Sequence, residues 1–296
     1  MHILLTGGTG FIGQALVPHL QAMGHTLTVF SRQRHSDTSA IKFIKYLDDL
    51  AQVETIDTVI NLAGESLAGG RWTKRYKQKL RGSRIDLTQD LVHTLQLSGH
   101  RPKLFISGSA IGWYGDCGEQ KVDESHTAGS GFGAELCNDW EAAALAAKEA
   151  LGSTVTTIRI GVVLDKNGGA FPQIFMPFRF GLANWPGSGD QYLSWIHRSD
   201  LVAAITFLLQ HPLEGAVNLT APEPATYKRL AREISKLRKT WVTIPAPAFA
   251  MRLALGEMAD ELLLSGQRVL PTKLVANGFA FQYPTIDKTL QSILTP

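Results

Sequence analysis

The sequence predicts an α/β fold, a doubly wound parallel sheet that carries a small, mostly helical C-terminal unit. Three observations predict it. Short apolar runs alternate with segments of helical period from residue 2 to about residue 165, the pattern of linked βαβ units. The run at 58–63 (TVINLA) is continuously apolar, as a strand buried on both faces of a parallel sheet must be. A glycine-rich turn joins the first apolar run to the first helical segment.

His2–Thr6 reads as the first strand. Phe11–Met23 reads as a helix, with Phe11, Ile12, Ala15, Leu16, Leu20 and Met23 at helical spacing and Gly24 placed to end it. Thr26–Phe30 is the second strand, Arg32–Ser39 a polar loop, and Trp72–Leu97 a long helix that is polar on one side. Lys103–Ser107 and Thr154–Ile160 are further strands, with the helix Gly133–Ala150 between them. Residues 166–197 are rich in Gly, Pro and aromatics. Leu201–Gln210 is a helix that Ser199 or Asp200 is able to cap. Gly215–Thr220 reads as a strand and Tyr227–Leu237 as a helix. From Pro245 the chain is mostly helical, punctuated at Gly256, Gly266, Pro271 and Gly278. The expected division is 1–240 for the sheet domain with its insertions and 241–296 for the helical unit.

Bulk properties narrow the function classes. The 296 residues are 44% hydrophobic and 19% charged, the balance of a globular protein with ample core material. Lys and Arg number 29 against 26 Asp and Glu, an excess too small and too dispersed for a nucleic-acid or membrane footprint. The densest basic stretch, Arg71–Arg84, reads as a solvated helix face. Cys117 and Cys137 are the only cysteines and have no metal-ligand spacing, so a reducing, cytoplasmic setting is expected. There is no HExxH, no carboxylate pair at glycosidase spacing and no signal-peptide pattern. No metal is expected.

The strongest motif is Thr6-Gly7-Gly8-Thr9-Gly10-Phe11-Ile12-Gly13. Following a strand and opening a helix, it reads as the phosphate loop of a Rossmann-type dinucleotide-binding domain. Gly7 permits the tight turn, Gly10 the approach of a pyrophosphate, and Gly13 the packing of helix on sheet. The backbone around Thr9, Phe11 and Ile12 then offers amides to the diphosphate. The end of the second strand selects the cofactor. Dinucleotide sites for NAD place an acidic residue there, whereas this chain has Ser31 and Arg32, with Arg34 close by. An arginine can grip a 2′-phosphate with two parallel hydrogen bonds, so NADP(H) is expected rather than NAD. Asn61-Leu62-Ala63-Gly64 closes another strand at the carboxyl edge, where small residues let a ribose and nicotinamide lie against the backbone.

The stretches TGGTGFIG, NLAG, SGSAIGWYG and WIHRSDLVAA resemble, in that order, the extended short-chain dehydrogenase/reductase superfamily. More narrowly the chain resembles its epimerase family protein, or sugar nucleotide epimerase-like, branch. That likeness rests on NLAGESLAGGRWTKRYKQKLRGSRIDLT, ELCNDWE, IRIGVVLDKNGGA, PFRFGLANWPGSGDQYLSWIH and the C-terminal unit. The resemblance implies an NADP-binding fold with an added C-terminal domain. Ser107 is expected at the cofactor, and Arg84, on the helix after the NLAG strand, can reach a phosphate or belong to a solvated helix face. The resemblance also implies a catalytic Ser, matched by Ser109, and a Tyr and Lys spaced YxxxK. These two are missing: anchored on Glu141, their positions hold Gly133 and Cys137, and no Tyr in the chain has a Lys four residues later.

Three readings follow from that gap. Tyr114, Cys137, Glu135 or His197 supplies the proton, or solvent and substrate do, or the protein binds NADP without turnover. Cys137 suits the first if its pKa is lowered; as a small buried hydrophobe it does not. His197 is either near the nicotinamide or a hydrogen-bonded core histidine. Trp185, Trp195, Gln191 and the glycines at 187 and 189 resemble a substrate loop, with packing as the alternative. Ser109 is expected to polarise an oxygen of a small or nucleotide-linked substrate. The alternative function is a non-catalytic NADP(H) sensor that acts on a protein partner.

Overall fold

The computed structural model describes residues 1–295. Seven parallel strands form the central sheet: β1 (His2–Thr6), β2 (Thr26–Phe30), β3 (Ile41–Ile44), β4 (Thr58–Asn61), β5 (Leu104–Ala110), β6 (Thr154–Ile160) and β7 (Gly215–Leu219). Their order across the sheet is β7-β6-β5-β4-β1-β2-β3, with all neighbours parallel. The chain winds outward from β1 in both directions, which is the Rossmann-type arrangement, and opens a crevice at the carboxyl ends of β1 and β4. Ile3, Leu4, Leu5, Val59, Ile60, Phe105 and Ile106 are fully buried, so both faces of the central strands are covered.

The helices are α1 (Gly13–Ala22), α2 (Lys74–Arg81), α3 (Leu87–Leu97), α4 (Phe132–Leu151), α5 (Phe171–Arg179), α6 (Arg198–Gln210) and α7 (Tyr227–Leu237). Leu16 and Leu20 of α1 join Ile3, Leu5 and the buried residues of α6 in one core on one face. Leu91, Val92 and Leu95 of α3 join Leu4, Phe105 and Ala144 of α4 in another on the opposite face. The segment expected as one helix, Trp72–Leu97, is interrupted: a five-residue π turn at Gly82–Asp86 separates α2 from α3. The edge strand β3 was not anticipated; its four residues pair only with β2.

The tail is woven into the body. Val242–Thr243 pairs with Leu182–Ala183, and Arg268–Val269 pairs with Lys121–Val122. Leu274 is buried in the α1/α6 core, while Ile286 and Leu290 are buried against Leu230 and Ile234 of α7. A further helix, α8 (Ala248–Leu255), has no buried residue. Among the described residues no helix is long and apolar enough to cross a membrane.

Candidate functional site

The crevice begins at the glycine turn after β1. Gly7 has φ of 73°, a left-handed conformation that favours glycine, and a Cβ there would lie 2.7 Å from the Leu62 carbonyl. A Cβ on Gly13 would run into the carbonyls of Gly7 and Gly8, so α1 can start hard against the turn only with glycine. Thr9 and Gly10 are exposed. The Phe11 and Ile12 amides have no partner among the described residues, whereas the Gly10 amide donates to the Gly7 carbonyl at 3.0 Å. The Phe11 ring is held between Gly168–Gly169 and the Arg198 guanidinium, 4.5 Å from its centroid, which fixes the backbone of the turn. Two open amides at a helix start, over a cradle that a side chain would fill, fit a diphosphate.

At the end of β2, Ser31 is buried, and its hydroxyl accepts from the Gln33 amide at 3.2 Å. Arg32 is 83% exposed by its side chain. Glu65, one residue past the NLAG stretch, faces it: Arg32 Nη1 is 3.8 Å and Lys79 Nζ of α2 3.0 Å from the same Oε2. The Lys79 hydrogen bond holds the Glu65 carboxyl below its ordinary range. The basic run was read as a solvated helix face, and Arg71, Lys74, Arg75 and Lys79 are exposed as that reading expects; with Gly70, Thr73 and Tyr76, three of them also border an open groove of about 620 Å³.

Behind the crevice the strand register aligns a polar row, Thr6, Asn61, Ser107 and Thr157. Asn61 is 1% exposed; it accepts from Thr6 Oγ1 at 2.6 Å and donates to Thr88 Oγ1 at 2.8 Å and to Ser107 Oγ at 3.3 Å. Thr6 Oγ1 in turn accepts from the Ala63 amide at 3.1 Å. Asn61 and Ser107 therefore serve as buried ties that shape the NLAG turn, and neither presents its side chain to a ligand. Leu62 and Ala63 are half-buried, and Gly64 is exposed. Arg84, in the π turn, lies under that turn and donates to the Glu65 carbonyl at 2.9 Å.

Ser109, at the end of β5, is buried and donates to Glu141 Oε1 at 2.6 Å. Arg159, its register partner on β6, closes a two-armed ion pair on Glu141, Nε to Oε1 at 2.8 Å and Nη2 to Oε2 at 2.9 Å. Arg159 Nη1 also donates to the Tyr114 hydroxyl at 3.1 Å, and that hydroxyl donates to Asn218 Oδ1 at 2.9 Å. The guanidinium stacks 3.4 Å from the Trp113 ring centroid. Sequence reasoning missed Glu141 and Arg159 as site residues. The signal was there in the sequence: an arginine inside a strand expected in the central sheet requires a buried partner.

Three of the four candidate proton donors need correction. Burial pushes the Cys137 thiol up to about 11, so the lowered pKa that proton exchange required is absent. Burial also raises the Tyr114 pKa, and its hydroxyl is enclosed between Arg159 and Asn218. His197, not Ser199 or Asp200, caps α6: its Nδ1 accepts from the Ser199 amide at 3.1 Å, and Nε2 meets Ser292 Oγ at 3.3 Å. Asp200 instead accepts from the amides of Gln282 and Tyr283, both at 2.9 Å, and anchors the tail. Glu135 is exposed on α4. The substrate loop needs correction too. Trp195 is wholly buried in the core that includes Phe171 and Tyr227, so its ring cannot clamp a ligand. Gln191 spends its amide donors on the carbonyls of Pro186 at 3.0 Å and Leu263 at 2.7 Å.

The first turn of α4 holds a group from the tail. Glu261 accepts from the Phe132 amide at 2.8 Å and the Gly133 amide at 2.7 Å. A Cβ on Gly131 or Gly133 would lie 2.9 Å from this carboxylate. The space that a side chain at 133 would take is thus filled by Glu261.

Comparison with known proteins follows the same lines. The model of the NAD-dependent epimerase/dehydratase family matches residues 3–220, and one described as a domain of unknown function, DUF1731, matches 246–293. An epimerase family protein of Mycobacterium leprae is 37% identical over 99% of this chain and 95% of its own length. One from Bacillus subtilis is 34% identical over 99% of this chain and 98% of its own length. The crystal structure of the human epimerase family protein SDR39U1 (isoform 2) with NADPH superposes with a TM-score of 0.88 at 31% identity, covering 99% of both chains. UDP-glucose 4-epimerase of Thermotoga maritima shares the fold, with a TM-score of 0.78 at 17% identity over 98% of both chains.

Proposed function

Since the chain belongs to the NAD-dependent epimerase/dehydratase family, we propose that it is an NADP(H)-dependent oxidoreductase or epimerase-like enzyme acting on a small or nucleotide-linked substrate. One observation carries the cofactor choice: Arg32, just past β2, extends an 83% exposed side chain whose one ion-pair contact among the described residues is Glu65 at 3.8 Å. A 2′-phosphate on the adenosine ribose can displace that long contact and take a two-pronged grip from Arg32. The human relative crystallised with NADPH supports the same choice. When bound, the cofactor supplies hydride transfer. Ser109 stands at the carboxyl end of β5; its single proton is donated to Glu141, so polarising a substrate oxygen requires that bond to be exchanged for one to the substrate.

A second reading has its own support. The hydroxyl of Tyr114 and both ring nitrogens of His197 are engaged within the protein, and the Cys137 thiol is held neutral. That arrangement suits a protein that holds NADP(H) without turnover and acts on a protein partner.

The two readings separate by experiment. Purified chain is given NADPH or NADP with a panel of carbonyl compounds and sugar nucleotides, and cofactor absorbance is followed. The enzyme reading expects turnover with a panel member and its loss in Ser109→Ala; binding without any turnover contradicts it. In the same protein Arg32→Ala is expected to weaken NADPH by about tenfold or more while leaving NADH within about twofold. Equal loss of both contradicts the 2′-phosphate assignment.

A further inference from the structure

We propose that Arg84 binds the nicotinamide half of the dinucleotide, donating from the open edge of its guanidinium to the hydroxyls of the second ribose. This rests on the cofactor reading above.

The first ground is the state of the side chain. Arg84 is half-buried, and loss of water is the largest influence on its charge. It forms no ion pair among the described residues. The carboxylate whose charge it feels, Glu65, is already engaged by Lys79 and Arg32. Its bonds go to neutral acceptors: Nη1 to the Leu80 carbonyl at 3.3 Å and Ser83 Oγ at 3.4 Å, and Nη2 to the Glu65 carbonyl at 2.9 Å. Nε–H and the second Nη2–H have no acceptor among the described residues. A guanidinium has five donors in a rigid fork, and a partly dehydrated one with two donors idle gains when a ligand oxygen meets them.

The second ground is position. The guanidinium carbon lies 3.0 Å from where a Cβ on the exposed Gly64 would stand, just beyond β4. Arg84 stacks over Trp140 of α4 at 5.3 Å, and the Trp140 ring packs directly on Gly108 of β5, where a Cβ would lie 2.7 Å from it. Arg84 therefore bridges the carboxyl ends of β4 and β5. The diphosphate cradle is at β1, and Arg32, which would meet the 2′-phosphate, follows β2, to one side of it. The other half of a dinucleotide so placed runs the opposite way, over β4 and β5. The π turn at Gly82–Asp86 delivers the side chain to this place. Sequence reading along the helix face gave Arg84 a phosphate as its target, whereas its position indicates the ribose beyond the diphosphate.

The test titrates the full chain with NADPH and with adenosine 2′,5′-bisphosphate, which carries the adenosine half alone. Arg84→Met is expected to weaken NADPH by about tenfold or more and to leave the bisphosphate within about twofold. Arg84→Lys, which keeps a cation, is expected to recover part of the NADPH loss. Should the Met variant fold poorly, Arg84→Gln retains donors for the Leu80 and Glu65 carbonyls, and the same split between ligands is expected of it. Parallel loss of both ligands, or loss of neither, in the variant that folds would overturn the proposal. Wild-type protein that binds the bisphosphate but not NADPH also overturns it. Failure of wild-type protein to bind either ligand is a different result, since it sinks the cofactor reading itself.

Discussion

His197 illustrates how a residue type suggestive of chemistry is taken up by structure. Its Nδ1 caps α6 and its Nε2 meets Ser292, and burial lowers its pKa below the ordinary 6.5. A histidine that stays neutral when folded takes up fewer protons than the unfolded chain below pH 6.5. Its contribution to stability is therefore present above that pH and is lost progressively as the pH falls from there through the lowered pKa of the folded state. Urea unfolding at about pH 7.5 and about pH 5.5 should show the wild type losing stability on acidification. His197→Asn keeps a capping side chain and should lose less. Identical losses would contradict this account. The partners decided the outcome here and elsewhere. Ser292 lies 95 residues from His197, and Asn218 lies 104 from Tyr114. No local pattern announces contacts at such separations, which is why the proton chemistry was not legible. The glycine turn was, because Gly7 and Gly13 act through backbone geometry.

At the scale of elements, β1, β2 and α1 were readable because strands buried on both faces and a glycine-opened helix leave a pattern in the sequence. The break at Gly82–Asp86 was not, because Trp72–Leu97 keeps a continuous helical period through it. The edge strand β3 was missed because four residues paired on one side carry little pattern. Helix α4 joins the region around Ser109 to the tail. Its first turn would have two unpaired amides without Glu261, and glycines at 131 and 133 make room for the carboxylate. Glu261→Ala is expected to cost about 1–2 kcal/mol in urea unfolding and to speed amide exchange at Phe132 and Gly133. No change in either would show that the contact does not hold the tail to α4. The same contact offers a physical account of the missing tyrosine, since a side chain at 133 and the Glu261 carboxylate compete for one space.

For the whole molecule, the crevice proposed for the dinucleotide runs from Arg32, past the open amides of Phe11 and Ile12, to Gly64, Arg84 and Ser109. The order follows from the sheet, which winds outward from β1 in both directions and so places the two halves of a dinucleotide on opposite sides of it. The tail adds Glu261 to one wall, and through Gln282 and Tyr283 it is fastened to Asp200. Retention of NADP(H) in this crevice is the central claim, and titration calorimetry of the intact chain with NADPH and, separately, NADH tests it most directly. The account predicts saturable binding of one NADPH per chain, with NADH weaker by about tenfold or more. No saturation with either dinucleotide, or equal affinity for the two, would contradict it.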